Sequence, residues 1–78
     1  MRREYLAHVV RVIEDTVAAT SGSLLAFLPG VGEIEAVRRG LSLPGVPILA
    51  LHGQLSAAEQ DRALSPASGR RVILSTSI

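Results

Sequence analysis

Five apolar residues, Leu24 to Leu28, run without interruption into Pro29, Gly30, Val31 and Gly32, and polarity resumes only at Glu33 and Glu35. A short apolar run bounded by turn residues predicts a strand buried on both faces. Glycine and proline turn the chain sharply after it, and Glu33 stands where a helix N-terminus favours negative charge. The predicted unit is therefore a strand, a tight turn and the start of a helix. It recurs along the chain. Val46 to Leu51 is a second apolar run, broken by His52 and Gly53, and Val72 to Leu74 is a third, ending in the hydroxyl residues Ser75, Thr76 and Ser77.

The segments between the runs carry helical spacing. Leu6, Val9, Val10, Ile13 and Val17 form one stripe, and Arg2, Arg3, Arg11, Glu14 and Asp15 lie mostly off it. Gly22 suits the residue just past that helix. In the second helix Val31, Ile34, Val37 and Leu41 are the inward positions, and Glu35 stands three and four residues before Arg38 and Arg39. Ser56 and Glu59 have the spacing of a capping box that opens a third helix. Pro47 cannot donate to a ladder, so it belongs at the start of its strand. The expected fold class is α/β, with parallel strands at about 24–28, 46–51 and 71–75 and helices at about 4–19, 31–41 and 57–64.

Right-handed crossovers place the C-termini of all three strands on one rim. That rim gathers Pro29, Gly30 and Val31, then His52 and Gly53, then Ser75 and Thr76. Ligands of open α/β sheets bind outside the carboxyl ends of the strands. His52 has no second ligand at useful spacing and is expected to line the rim or serve structure. Ser56 is accounted for by its cap. Arg70 and Arg71 precede their strand, so they are expected on the opposite rim as solvated charge. No catalytic residue and no metal site is expected.

Composition removes several functions. All eight basic residues are arginine. Without lysine there is no phosphate-binding P-loop and no Schiff base. The absence of cysteine excludes disulfides and thiolate metal sites. A formal charge of +1 argues for neither a nucleic-acid nor a membrane partner by itself. No apolar run approaches the roughly 20 residues needed to span a bilayer, so no membrane partner and a cytoplasmic location are expected. Seventy-eight residues allow one small domain at most, one that buries only about 60% of its unfolded surface.

Three stretches, taken in order, resemble a known family. Leu24 to Glu35, Leu51 to Gln60 and Arg71 to Ile78 resemble motif IV, the block that follows it, and the opening of motif V in superfamily 2 helicases. The likeness is to the DEAH-box group, and within it to the bacterial HrpB type of ATP-dependent RNA helicase. The resemblance implies a partial RecA-like three-layer fold, with residues 1–78 as part of the second RecA-like, or helicase C-terminal, domain. It implies single-stranded RNA, or DNA, and a first RecA-like domain as partners. ATP and Mg²⁺ are implied for the full-length family, and no cofactor is implied for this chain. Carried onto these positions, Gly30, Val31, Ser75 and Thr76 would contact the sugar-phosphate backbone, with Pro29, His52 and Gly53 lining the rim. The pattern departs from the group at Pro29 and Ser77, where hydroxyl and asparagine side chains are usual. The Ala-Glu-Thr continuation of motif V lies outside these residues. The implied activity is that of an incomplete motor, inactive alone. The alternative is a small free-standing α/β module for protein interaction or regulation.

Overall fold

A computed structural model describes residues 3–65 and 69–76. The elements alternate as expected: α1 (Arg3–Ala19), β1 (Leu24–Phe27), α2 (Val31–Gly40), β2 (Ile48–Leu51), α3 (Ala57–Leu64) and β3 (Val72–Ser75). The strands form one parallel sheet in the order β1-β3-β2. Leu24, Val72 and Ile48 lie in register at one end, and Phe27, Ser75 and Leu51 at the other. The departure of Ser77 from the helicase pattern and most of the Ser65–Gly69 loop fall outside the described residues.

Because side chains alternate along a strand, this register sorts the sheet into two faces. Leu24, Ala26, Leu28, Val72, Leu74, Ile48 and Ala50 face α1 and α2 in the larger core, around Ile13, Val17, Ile34 and Val37. Ile73, Leu49 and Leu51 face α3 in a smaller one, against Ala63 and Leu55. Ile34 and Val37 are wholly buried, each contributing about 1.5–3 kcal/mol through removal from water. The helices thus lie on both faces of the sheet, two against one.

That imbalance corrects the expectation of a first strand buried on both faces. β3, in the centre, is buried at every position. β1 alternates, with Leu25 50% and Phe27 67% exposed. Their face of the sheet is covered by α3 only above β2 and β3, so the apolar run Leu24–Leu28 is a half-covered edge strand.

The remaining differences are local. The second strand starts at Ile48 rather than Val46 because the Val46 amide closes a turn onto the Leu43 carbonyl at 3.1 Å. In that turn Pro44 precedes Gly45, whose φ of +79° is open to glycine and costly to most other residues. The Pro47 carbonyl still accepts from the Val72 amide at 2.9 Å, so the ladder begins one residue before the strand proper. α2 ends at Gly40, with Leu41 as its C-cap. A β-carbon at Gly40 would stand 3.1 Å from a Val10 methyl, so the glycine lets α1 and α2 approach. Gly22 does not end α1 in a left-handed conformation; among the described residues only Gly45 and Gly69 have positive φ.

Arg70 and Arg71 lie on the rim opposite the strand C-termini, as expected, but not as solvated charge. Arg70 donates from Nε to the Gly22 carbonyl at 3.1 Å and from Nη2 to the carbonyls of Thr20, at 2.7 Å, and Val17. Arg71 is buried and donates to the carbonyls of Ala63, at 2.8 Å, and Gly69, at 2.7 Å. A crossover helix ends where the next strand begins, so this rim collects helix C-termini and their unpaired carbonyls. Two adjacent arginines just before the central strand close one helix end on each face, where positive charge also suits the helix dipole.

Candidate nucleic-acid interface

The rim at the strand C-termini is levelled by the ladder itself. Leu28 donates its amide to the Ser75 carbonyl at 2.7 Å, and Thr76 donates to the Leu51 carbonyl at 3.1 Å. Pro29–Val31, His52–Gly53 and Ser75–Thr76 therefore leave the sheet at one height, which brings all the expected site residues to one edge of the molecule.

At β1 the chain turns directly into α2. Gly30 is the N-cap, in an extended conformation with φ −164°, and no side chain caps the helix. The first intrahelical bond runs from the Ile34 amide to the Gly30 carbonyl at 3.1 Å. The amides of Val31, Gly32 and Glu33 precede it and point out of the helix end. A β-carbon at Gly30 would lie 2.9 Å from Glu33 Oε1, so the Glu33 carboxylate folds back over this first turn. An anion arriving at these amides meets the positive end of the helix dipole together with a carboxylate that must move aside.

The central strand supplies the other end of the rim. Ser75 is 1% exposed and its hydroxyl donates to the Thr76 carbonyl at 2.8 Å, so its side chain supports the strand end from within. Thr76 is half-buried, its amide is taken by Leu51, and no hydrogen bond engages its hydroxyl among the described residues. Of the two, Thr76 is the one with a group to offer. His52 is buried, and its Nδ1 accepts from the Gln54 amide at 3.2 Å while its carbonyl accepts from Leu55 at 3.1 Å. The imidazole organises the turn between β2 and α3, in keeping with the structural reading.

Ser56 and Glu59 complete the capping box in both directions. The Glu59 amide donates to Ser56 Oγ at 3.2 Å, and the Ser56 amide donates to Glu59 Oε1 at 3.0 Å. Hydrogen bonds from the Ser56 backbone and side chain hold the exposed Glu59 carboxyl below its ordinary value.

No group of three His, Asp or Glu side chains is placed to hold a metal ion among the described residues, and the sequence has no lysine to reach a phosphate. Among the described residues no helix is long and apolar enough to cross a membrane.

A parallel sheet flanked by helices on both faces, with glycine and hydroxyl residues on its C-terminal rim, is a partial RecA-like α/β fold. No family model matches the chain. Curated relatives do. The chain is 46% identical over 63 residues to the ATP-dependent RNA helicase HrpB of Escherichia coli (strain K12), covering 74% of this chain and 8% of that protein. It is 31% identical over 80 aligned positions to the ATP-dependent RNA helicase HrpA of the same organism, covering 97% of this chain and 6% of the relative. By these similarities the chain belongs to the DEAH-box group of ATP-dependent RNA helicases, and it spans less than a tenth of the length of the relatives it matches.

Sequence reasoning placed the rim residues but missed three features of the site and its support: the carboxylate of Glu33 over Gly30, the inward hydroxyl of Ser75, and the anchoring arginines. Only the last had a usable signal, since two arginines before a central strand face the helix C-termini that the crossover rule collects there.

Proposed function

We propose that the chain is part of the second RecA-like domain of an ATP-dependent RNA helicase and carries a portion of its grip on the backbone of single-stranded nucleic acid. The observation that carries this reading is the uncapped start of α2 at Gly30 and Val31, level with the Thr76 hydroxyl on the same rim. Backbone amides and a hydroxyl at that height suit successive phosphates and read no base, so they position a strand without selecting its sequence. Pro29, His52 and Gly53 shape the rim between these contacts. ATP and Mg²⁺ belong to other parts of the longer protein, and the chain by itself turns over no ATP.

Fluorescence anisotropy with a labelled single-stranded RNA at low salt tests the grip. Gly30→Asp adds a second carboxylate beside Glu33 and is expected to weaken binding about tenfold. Thr76→Ala removes one hydroxyl and is expected to weaken it by about threefold. Equal affinity for the parent and both variants, each folded by circular dichroism, would refute the interface, and ATP hydrolysis by the chain alone would refute the division of labour. One observation favours the alternative of a free-standing interaction module, namely the exposed Leu25 and Phe27 on β1. RNA binding that none of the rim variants changes would move the balance to that reading.

A further inference from the structure

The turn after β2 holds a donor that the fold does not use, and we propose that this donor, His52 Nε2–H, binds the same backbone phosphate that the Thr76 hydroxyl reaches. This contact rests on the reading of the rim as a grip on single-stranded nucleic acid and adds a residue to it. His52 is 8% exposed, so its ring is fixed among its neighbours. Its Nδ1 accepts from the Gln54 amide at 3.2 Å. A neutral imidazole that accepts at one nitrogen carries its proton on the other, which makes Nε2 the donor. Among the described residues no group accepts that proton. No unpartnered side-chain nitrogen or oxygen among them is sealed from solvent either, so the little exposure that His52 keeps includes Nε2. Glu59, the carboxylate of the adjoining turn, is committed to the Ser56 amide at 3.0 Å. Buried polar side chains as a rule spend their donors and acceptors within the protein. This one spends the inner nitrogen and presents the outer.

The sheet register sets His52 beside the other two contacts. Phe27, Ser75 and Leu51 are level across the three strands, and the ladder runs one step further through the amides of Leu28 and Thr76. Leu28, Thr76 and His52 therefore form the next row. Alternation turns that row to the face on which α1 and α2 pack, where Leu28 is buried in the larger core. Only Pro29 and Gly30 separate Leu28 from the first residue of α2, so the uncapped helix start stands at the β1 end of the same row. Neighbouring strands lie about 4.8 Å apart, a span across which one phosphate can accept from both Thr76 and His52. Gly53 adds no side chain next to the imidazole, and the place a β-carbon would take there is open. A ring already held by Nδ1 loses little freedom when Nε2 binds, which favours its use as a contact.

Anisotropy of a labelled single-stranded RNA at low salt, read beside urea unfolding of the same variants, tests the contact. His52→Asn keeps an oxygen that accepts from the amide two residues on, as asparagine does in turns, but has nothing at the position of Nε2. It is expected to unfold at the parent's urea midpoint and to bind RNA about three- to tenfold more weakly. His52→Gln does the reverse. Its longer side chain carries an amide N–H to the place of Nε2 and gives up the bond to Gln54. Its urea midpoint is expected to fall, while its RNA affinity stays within about twofold of the parent. A residue that served the turn alone would lose nothing as asparagine. The losses from His52→Asn and Thr76→Ala are expected to be non-additive, because the two donors share a phosphate, and additive losses would overturn that sharing. Parent-like affinity of His52→Asn while Thr76→Ala still weakens binding would overturn the contact and leave the grip standing. RNA binding indifferent to Gly30→Asp and Thr76→Ala as well would overturn the grip and this contact with it. Loss of binding by a folded His52→Gln would also overturn the proposal.

Discussion

The two edges of this sheet are built from equally apolar strands and protected in opposite ways. β2 enters its edge through Pro47, and the shallow trough along it is lined by Arg38, Glu59 and Arg62. Charges and a missing donor are the usual means of keeping other strands away. β1 has none of these, and its exposed side chains are leucine and phenylalanine. The contrast traces to the placement of α3. A helix between β2 and β3 lies over that half of the sheet and carries polar side chains to the β2 edge, whereas nothing among the described residues crosses the same face at β1. An equal supply of apolar residues thus gives a covered strand in one place and a half-exposed one in the other.

The sharpest way to break the comparison is to remove apolar volume from the centre and from the open edge in turn. Leu74→Ala empties a fully buried position on β3 and is expected to cost about 2–5 kcal/mol, enough to abolish a cooperative urea transition in so small a chain. Phe27→Ala removes a larger side chain from β1 yet is expected to cost no more than about 0.5 kcal/mol. Similar losses at the two positions would show that β1 is covered after all. The anchoring arginines come next. Arg71→Met, which leaves the buried carbonyl of Ala63 without its donor, is expected to cost about 1–3 kcal/mol by chemical denaturation. Arg70→Met, at a half-buried site where water replaces the donor, is expected to cost less. The opposite order would mean that α1, on the β1 side, depends more on its arginine than α3 does.

The smallest effect concerns the guarded side. Ser56→Ala removes the cap of α3 and is expected to cost about 1 kcal/mol. The cap also carries a pH signature. Hydrogen bonding lowers the carboxyl pKa of Glu59 in the folded state, so its contribution is complete above the ordinary value of 4.5 and is lost as pH falls through the lowered one. Amide chemical shifts of α3 are expected to record that loss in the parent and to lack it in Ser56→Ala. An identical acid limb in both proteins would dissociate the carboxylate from the cap.

Much of this architecture is legible in one dimension because its signals are local. The stripe of α1, the apolar runs and the Ser56–Glu59 box each depend on residues within a few positions of one another, and each element lies within two residues of its expected bounds. The ends shifted where a single backbone group had a competing use, as with the Val46 amide in its turn. The rim was legible for a different reason. Handedness of the crossovers is a general rule, so any residue that follows a parallel strand is delivered to the same side.

What separates these residues within the rim and the sheet is not local. Ser75 and Thr76 are adjacent hydroxyls, yet one is sealed against its neighbour's carbonyl and the other retains a group to offer, because side chains of a strand alternate between faces that are unequally covered. Arg70 and Arg71 look like exposed charge until the ends of α1 and α3 arrive beside them. By itself the sequence determined the elements, their parallel direction and the rim, since those follow from periodicity, turn chemistry and chirality. Only the tertiary structure decided that β3 lies between β1 and β2 and that α3 covers one side alone, since strand order depends on which distant surfaces bury each other. That order made β1 an edge and left Leu25 and Phe27 exposed.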